Sequence, residues 1–203
     1  MIEVGVLLAD CRELPEDDSW LDVEEAKCLR TFRVPGRRLE FLLDRWTTKR
    51  AVAAWRGSTE VEVSSSYRDG RAACAVAPGG TRLGCDLERI EPRSELFLQD
   101  CFVPSEIEMV LEVPVEQRPL LANLIWSAKE STLKALKTGL HPDARTVEVR
   151  LLDLSARDWG RLEVIQSATG EVFHGWWRRD EGWLLTVVSD PAPFHPRHLT
   201  APP

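Results

Sequence analysis

The sequence predicts an α+β protein built of two halves with a similar order of elements. Two long stretches, 37–56 and 116–138, carry apolar residues at helical spacing. Short β-rich runs bounded by turn residues flank them. The order of elements, roughly β-α-α-β-β and then β-α-α-β-β-β, doubles about a joint near Pro78-Gly79-Gly80, although the residues themselves do not repeat.

Residues 2–8 alternate weakly and end at Asp10, which predicts a first strand. Leu21, Ala26, Leu29 and Phe32 predict a helix over 20–33, and Pro35-Gly36 is expected to stop it. Over 37–56, Leu39, Leu42, Leu43, Trp46, Val52 and Trp55 form an apolar face opposite Arg37, Arg38, Arg45, Lys49 and Arg50. Gly57 is expected to close this helix. The runs 61–66 and 72–77 read as a hairpin turned at Asp69-Gly70, and 82–90 as a further strand. Residues 94–113 hold one or two helices broken at Pro104, where Ser105 and Glu108 are placed to form a capping pair. The helix over 116–138 ends at Gly139. Four strand-like runs follow from 146 to 189, the last two joined by a turn at Asp180-Glu181-Gly182. The expected organisation is an N-terminal α+β subdomain (1–78), a C-terminal α+β subdomain (79–190) and a proline-rich, loosely held tail (191–203).

A length of 203 residues suits one large domain or two small ones. The formal charge of −7 excludes a general nucleic-acid binder, which needs a basic face. The longest apolar stretches are far short of a membrane span. No basic leader precedes the short apolar run of residues 1–14, so it reads as a strand and not as a signal peptide. Cys11, Cys28, Cys74, Cys85 and Cys101 are scattered, without a Cys-x-x-Cys pair, and read as reduced thiols of a cytoplasmic protein. Most of the eight tryptophans sit at core-compatible positions, and Trp176-Trp177 must face opposite sides of one strand. His141 and His174 are lone histidines without metal spacing.

Two segments carry candidate chemistry. In Leu83-Gly84-Cys85-Asp86-Leu87-Glu88, strand alternation turns Leu83, Cys85 and Leu87 to one face and Asp86 with Glu88 to the other. Carboxylates about 7 Å apart along a strand repel unless a cation lies between them, and a solvated strand face explains the pattern equally well. In Trp126-Ser127-Ala128-Lys129-Glu130-Ser131-Thr132-Leu133-Lys134, Glu130 and Lys134 share a helix face with Trp126 one turn earlier. An ordinary helix salt bridge beside a core tryptophan also accounts for that.

Taken together, the two segments resemble the signature of surfactin-type 4′-phosphopantetheinyl transferases. Gly84-Cys85-Asp86-Leu87-Glu88 is similar to that family's Gly-x-Asp-x-Glu motif, and 126–134 to its Trp-Ser-x-Lys-Glu-Ser-x-x-Lys helix. Phe102-Val103-Pro104-Ser105-Glu106 resembles an element between them, and 37–50 the upstream Arg-rich helix. The resemblance, over roughly 24–152, implies two pseudo-symmetric α+β subdomains with coenzyme A, the substrate, in the cleft between them. It implies transfer of phosphopantetheine from coenzyme A to a serine of an acyl or peptidyl carrier protein by a cytoplasmic, monomeric enzyme, with adenosine 3′,5′-bisphosphate as by-product. Carrier proteins of this kind are acidic helical bundles, so the docking surface of this acidic chain is expected to be a local basic or apolar patch.

By that resemblance Asp86, Glu88 and Glu130 are the Mg²⁺ ligands, a hard-oxygen set for a hard ion. Glu130 is the expected general base, and Lys134 the cation on a phosphate oxygen; Glu130, Lys134 and Asp86 form the catalytic set. Lys129 is placed near phosphate or at solvent, and Arg37, Arg38, Arg45 and Lys27 on the 3′-phosphate side of coenzyme A. Two elements of the family's pattern are unmatched. Ser65, in Val63-Ser64-Ser65-Ser66, stands where the family has a phosphate-contacting histidine, so a charge-assisted contact becomes a neutral one. Only Gly57-Ser58-Thr59-Glu60 stands in place of a Gly-Lys-Pro loop that contacts adenine. Three readings follow: an active transferase with altered coenzyme A binding, a repurposed relative acting on carrier-bound or coenzyme A thioesters in secondary metabolism, or a non-catalytic carrier-binding relative.

Overall fold

The computed structural model describes residues 1–137, 143–154 and 158–200. Its first sheet has the order β2-β3-β1-β9 and its second the order β4-β8-β7-β6-β5. Strands β1 (Gly5–Asp10), β2 (Val61–Arg68) and β3 (Arg71–Pro78) pair antiparallel; β4 (Arg82–Arg89), β8 (Trp183–Asp190), β7 (Val172–Asp180), β6 (Trp159–Gln166) and β5 (Val147–Leu151) do the same. Side-chain alternation then builds four layers. Leu7, Cys74 and Val76 face helix α2 (Pro35–Ala54), against Leu43 and Ala51. Val6, Ala73 and Ala75 face the second sheet, against Leu83, Cys85 and Val187. Leu184 and Val188, from the other face of β8, pack with Leu124, Ile125 and Ala128 of helix α5 (Arg118–Leu136). The protein is an α+β fold, as expected, with a sheet and a covering helix in each half. No described helix is long and apolar enough to cross a membrane.

Several local expectations are corrected. Pro35 does not merely stop what precedes it. It opens α2, where a missing N–H costs nothing, after α1 (Val23–Thr31) has ended. Helix α2 ends at Ala54, ahead of Gly57, whose lack of a side chain instead admits the Trp55 ring; a Cβ there would lie 2.3 Å from it. The β2–β3 hairpin turns at Asp69 (φ 45°) and Gly70 (φ 79°), the left-handed pair that a tight turn needs. Pro104 separates α3 (Glu95–Cys101) from α4 (Pro104–Glu112). Ser105 and Glu108 form no cap: Glu106 accepts from the Val103 N–H at 2.9 Å, and Ser105 donates to Glu148 at 3.0 Å. The expected helix end at Gly139, and His141, lie outside the described residues.

Residues 191–200 of the tail are tied to the sheets. Arg197–His198 form β9, parallel to β1, and Leu199 donates to the Val6 carbonyl at 2.8 Å. A segment leaving the second sheet thus completes the edge of the first. It also covers Trp176, whose indole N–H donates to the Pro193 carbonyl at 3.3 Å, while Trp177 is buried on the opposite face.

Candidate active site

The site exists because α5 lies almost on β4. A Cβ added to Gly84 would sit 1.7 Å from the Ser131 carbonyl oxygen, so only glycine permits the approach. Trp126, Glu130 and Lys134, each one turn apart, then project beside the β4 face that carries Asp86 and Glu88. Thr186 of β8 fixes the register by hydrogen bonding with Ser127 at 2.8 Å and Ser131 at 2.7 Å.

Asp86, 5% exposed, is saturated with donors. Its Oδ1 accepts from Lys134 Nζ at 3.0 Å and Ser66 Oγ at 2.9 Å, and its Oδ2 from Ser127 Oγ at 2.9 Å. Lys134 also donates to the Cys85 carbonyl at 2.8 Å. Burial opposes its charge, but Asp86 outweighs burial and holds the ammonium above its ordinary pKa. Glu88, 7% exposed, accepts from the Trp126 indole and from Arg93, both at 3.1 Å, with Arg68 at 3.8 Å. Glu130 makes no hydrogen bond or ion pair among the described residues. Burial, and then the Asp86 charge, push both Glu88 and Glu130 above the ordinary carboxylate range.

Three hard-oxygen donors that repel one another suit a divalent cation in their chemistry. Their placement is less finished: among the described residues no group of three such side chains stands in metal-holding geometry. Asp86 and Glu88 turn to Lys134, Ser127, Trp126 and Arg93 instead, so side-chain rotation has to precede joint coordination.

Beside this cluster a cleft of about 440 Å³ runs from Lys134 along Ser66 and Ser65 to Asp44, Phe41 and Arg37 of α2. Ser65 Oγ donates to Asp44, whose carboxylate also holds Arg45 at 2.5 Å. The connection from α2 to β2, residues 55–60, is short.

Residues 82–190, just over half of the chain, match the family model described as 4′-phosphopantetheinyl transferase superfamily. The chain belongs to this superfamily. It is also similar to the 4′-phosphopantetheinyl transferase HetI of Nostoc sp., with 31% identity over 109 residues. That match covers 49% of this chain and 45% of HetI, so it spans about half the length of the relative.

Within this superfamily member, Asp86, Glu88, Glu130 and Lys134 come together on one face, and Ser65 lines the adjoining cleft with Arg37. Lys129 does not join them. It is fully buried on the far side of α5, paired with Glu106 at 2.8 Å and donating to the Ala144 and Val147 carbonyls at 3.0 and 2.5 Å. The other expected phosphate contacts are engaged elsewhere. Lys27 pairs with Glu24 at 2.6 Å, Arg38 donates to the Leu29 carbonyl at 3.0 Å, and Arg45 binds Asp44. The sequence reading missed Arg93 and Arg68, which flank Glu88, and Asp44, which faces the cleft. A basic residue five positions after Glu88 was the visible hint of Arg93; nothing local marks Arg68 or Asp44.

Proposed function

We propose that this chain transfers 4′-phosphopantetheine from coenzyme A to a serine of an acyl or peptidyl carrier protein, with Mg²⁺ held by Asp86, Glu88 and Glu130. The supporting observation is the Gly84 contact, which sets two carboxylates of β4 beside Glu130 and Lys134 of α5. When bound, the ion would supply Lewis-acid stabilisation of pyrophosphate charge. Lys134, kept protonated by Asp86, stabilises negative charge on a phosphate oxygen. Glu130 makes no hydrogen bond or ion pair among the described residues and has a raised pKa, both of which suit it to take the proton of the carrier serine. Ser65, where an imidazole would bring charge, gives its one hydroxyl proton to Asp44 and adds no cation to the phosphate side of the cleft.

Apo acyl carrier protein and an apo peptidyl carrier domain, incubated with the chain, coenzyme A and Mg²⁺, test this by mass spectrometry. The expected result is a gain of the phosphopantetheine mass that is lost with a chelator. Binding of coenzyme A without any mass gain would favour the repurposed reading, and no binding at all the non-catalytic one.

A further inference from the structure

The side chains lining the cleft bring no net positive charge to it. Arg37 and Lys134 are balanced by Glu40 and Asp44. Both cations are already paired, Arg37 with Glu40 at 2.9 Å and Lys134 with Asp86 at 3.0 Å. Asp44 lines the cleft while its partner Arg45 does not, so this pair turns its negative end toward a ligand. Ser65 fixes that orientation by spending its hydroxyl proton on Asp44. Further along, Phe32 and Phe41 stand 5.4 Å apart as an apolar wall, with Tyr67 across the cleft. These rings suit a base, and a phosphate monoester dianion placed beside Asp44 meets a carboxylate at a Coulombic cost.

We infer that Asp44 makes this site indifferent or averse to the 3′-phosphate of coenzyme A, and that 3′-dephospho-coenzyme A serves as donor at least as well. The inference rests on the transfer reading above. The carrier serine Oγ bonds to the pantetheine-side phosphorus, the bond from that phosphorus to the bridging oxygen breaks, and the serine proton passes to Glu130. The leaving group is adenosine 5′-monophosphate from the dephospho donor and adenosine 3′,5′-bisphosphate from coenzyme A.

Because the two leaving groups differ, an equimolar mixture of both donors reports the choice within one reaction. The full chain, Mg²⁺ and an apo carrier protein are incubated with the mixture, and the released nucleotides are quantified by chromatography. The expected result is at least as much monophosphate as bisphosphate. Asp44→Asn removes the charge and keeps the acceptor for Ser65; it should shift the ratio toward bisphosphate roughly tenfold, the scale of one partly offset charge contact near a surface. The ratio is independent of how much of the variant folds. A wild-type preference for coenzyme A beyond about tenfold, or an unmoved ratio in Asp44→Asn, overturns the inference. Release of neither nucleotide sinks the transfer reading instead. Calorimetric titration of the two donors then decides the inference, and tighter wild-type binding of coenzyme A than of its dephospho form overturns it.

Discussion

The two ends of the cleft are built differently. At the β4–α5 end, Asp86 and Glu88 are nearly fully buried, every oxygen of Asp86 has a donor, and one glycine sets the spacing of strand and helix. At the β2–α2 end, side chains are more exposed, charges cancel in neighbouring pairs, and a short connection leads in from the helix. A dense polar network in low dielectric tolerates little change, whereas an open, charge-balanced surface can be re-tuned residue by residue. The comparison teaches that side-chain placement at the first end is constrained by packing, while the charge balance at the second is set by a few replaceable side chains.

The largest expected effect tests the first end. Glu130→Gln should lower the transfer rate by about 10²- to 10⁴-fold, the usual contribution of a positioned base. Thermal stability should hold or rise, because Glu130 makes no hydrogen bond or ion pair among the described residues, and burial and Asp86 oppose its charge more than Lys134 favours it. A variant that loses stability in step with activity would mean that Glu130 is structural, and the contrast between the two ends would collapse.

The next effect concerns the reverse of α5. Glu106 and Lys129 are a fully buried pair, and Glu106 also accepts from the Val149 N–H at 2.8 Å. Lys129→Met alone leaves a buried carboxylate without its cation and should cost about 3–5 kcal/mol in denaturant unfolding. Adding Glu106→Gln should recover part of that loss, since a neutral amide keeps some of the backbone contacts. An unaltered midpoint in the single variant would show that the pair contributes nothing to holding α5 against α4 and β5.

What the sequence disclosed follows the same division. Strand period and helix period set Asp86 with Glu88 and Glu130 with Lys134, because both are properties of one element. The Gly84 contact was implicit in the motif, but its reason needs the neighbouring helix. Lys129 was misplaced because a step of one residue turns a helix by about 100°, and only the tertiary fold says which flank meets α4. Pro35 reads as a stop although the same residue type starts helices, and the choice depends on which side the apolar face continues. The tail reads as loose because it is terminal and rich in proline, and a two-residue strand carries no periodicity to say otherwise; the edge of β1 recruits it. Asp44 sits on the charged face of an amphipathic helix, where one acid looks like any other until Ser65 is seen beside it.

The tail offers a smaller test of how the open end is held. Leu199 packs against the cluster under α2, and the Gly5 position leaves room for its side chain. Leu199→Ala should lower stability by about 1–2 kcal/mol, less than a fully buried leucine because the site is half-buried. Hydrogen exchange should show loss of protection at Val6 and Leu199 before β4. Uniform loss across both sheets would mean that the halves do not differ in local stability.

The smallest effect sharpens the comparison most directly. Ser65→His places an imidazole between Asp44 and the cleft, where the carboxylate favours its protonated form. A neutral donor becomes a charge-assisted one, so coenzyme A should bind about fivefold more tightly at pH 6. The gain should fade as pH rises past the imidazole pKa, because the neutral ring offers a phosphate little more than the hydroxyl did. Dephospho-coenzyme A should gain less, since it carries fewer phosphate oxygens for the new charge to meet. Equal gains for both donors would place the Ser65 position at the pyrophosphate, and would move the boundary between the two ends one residue further from the acidic cluster.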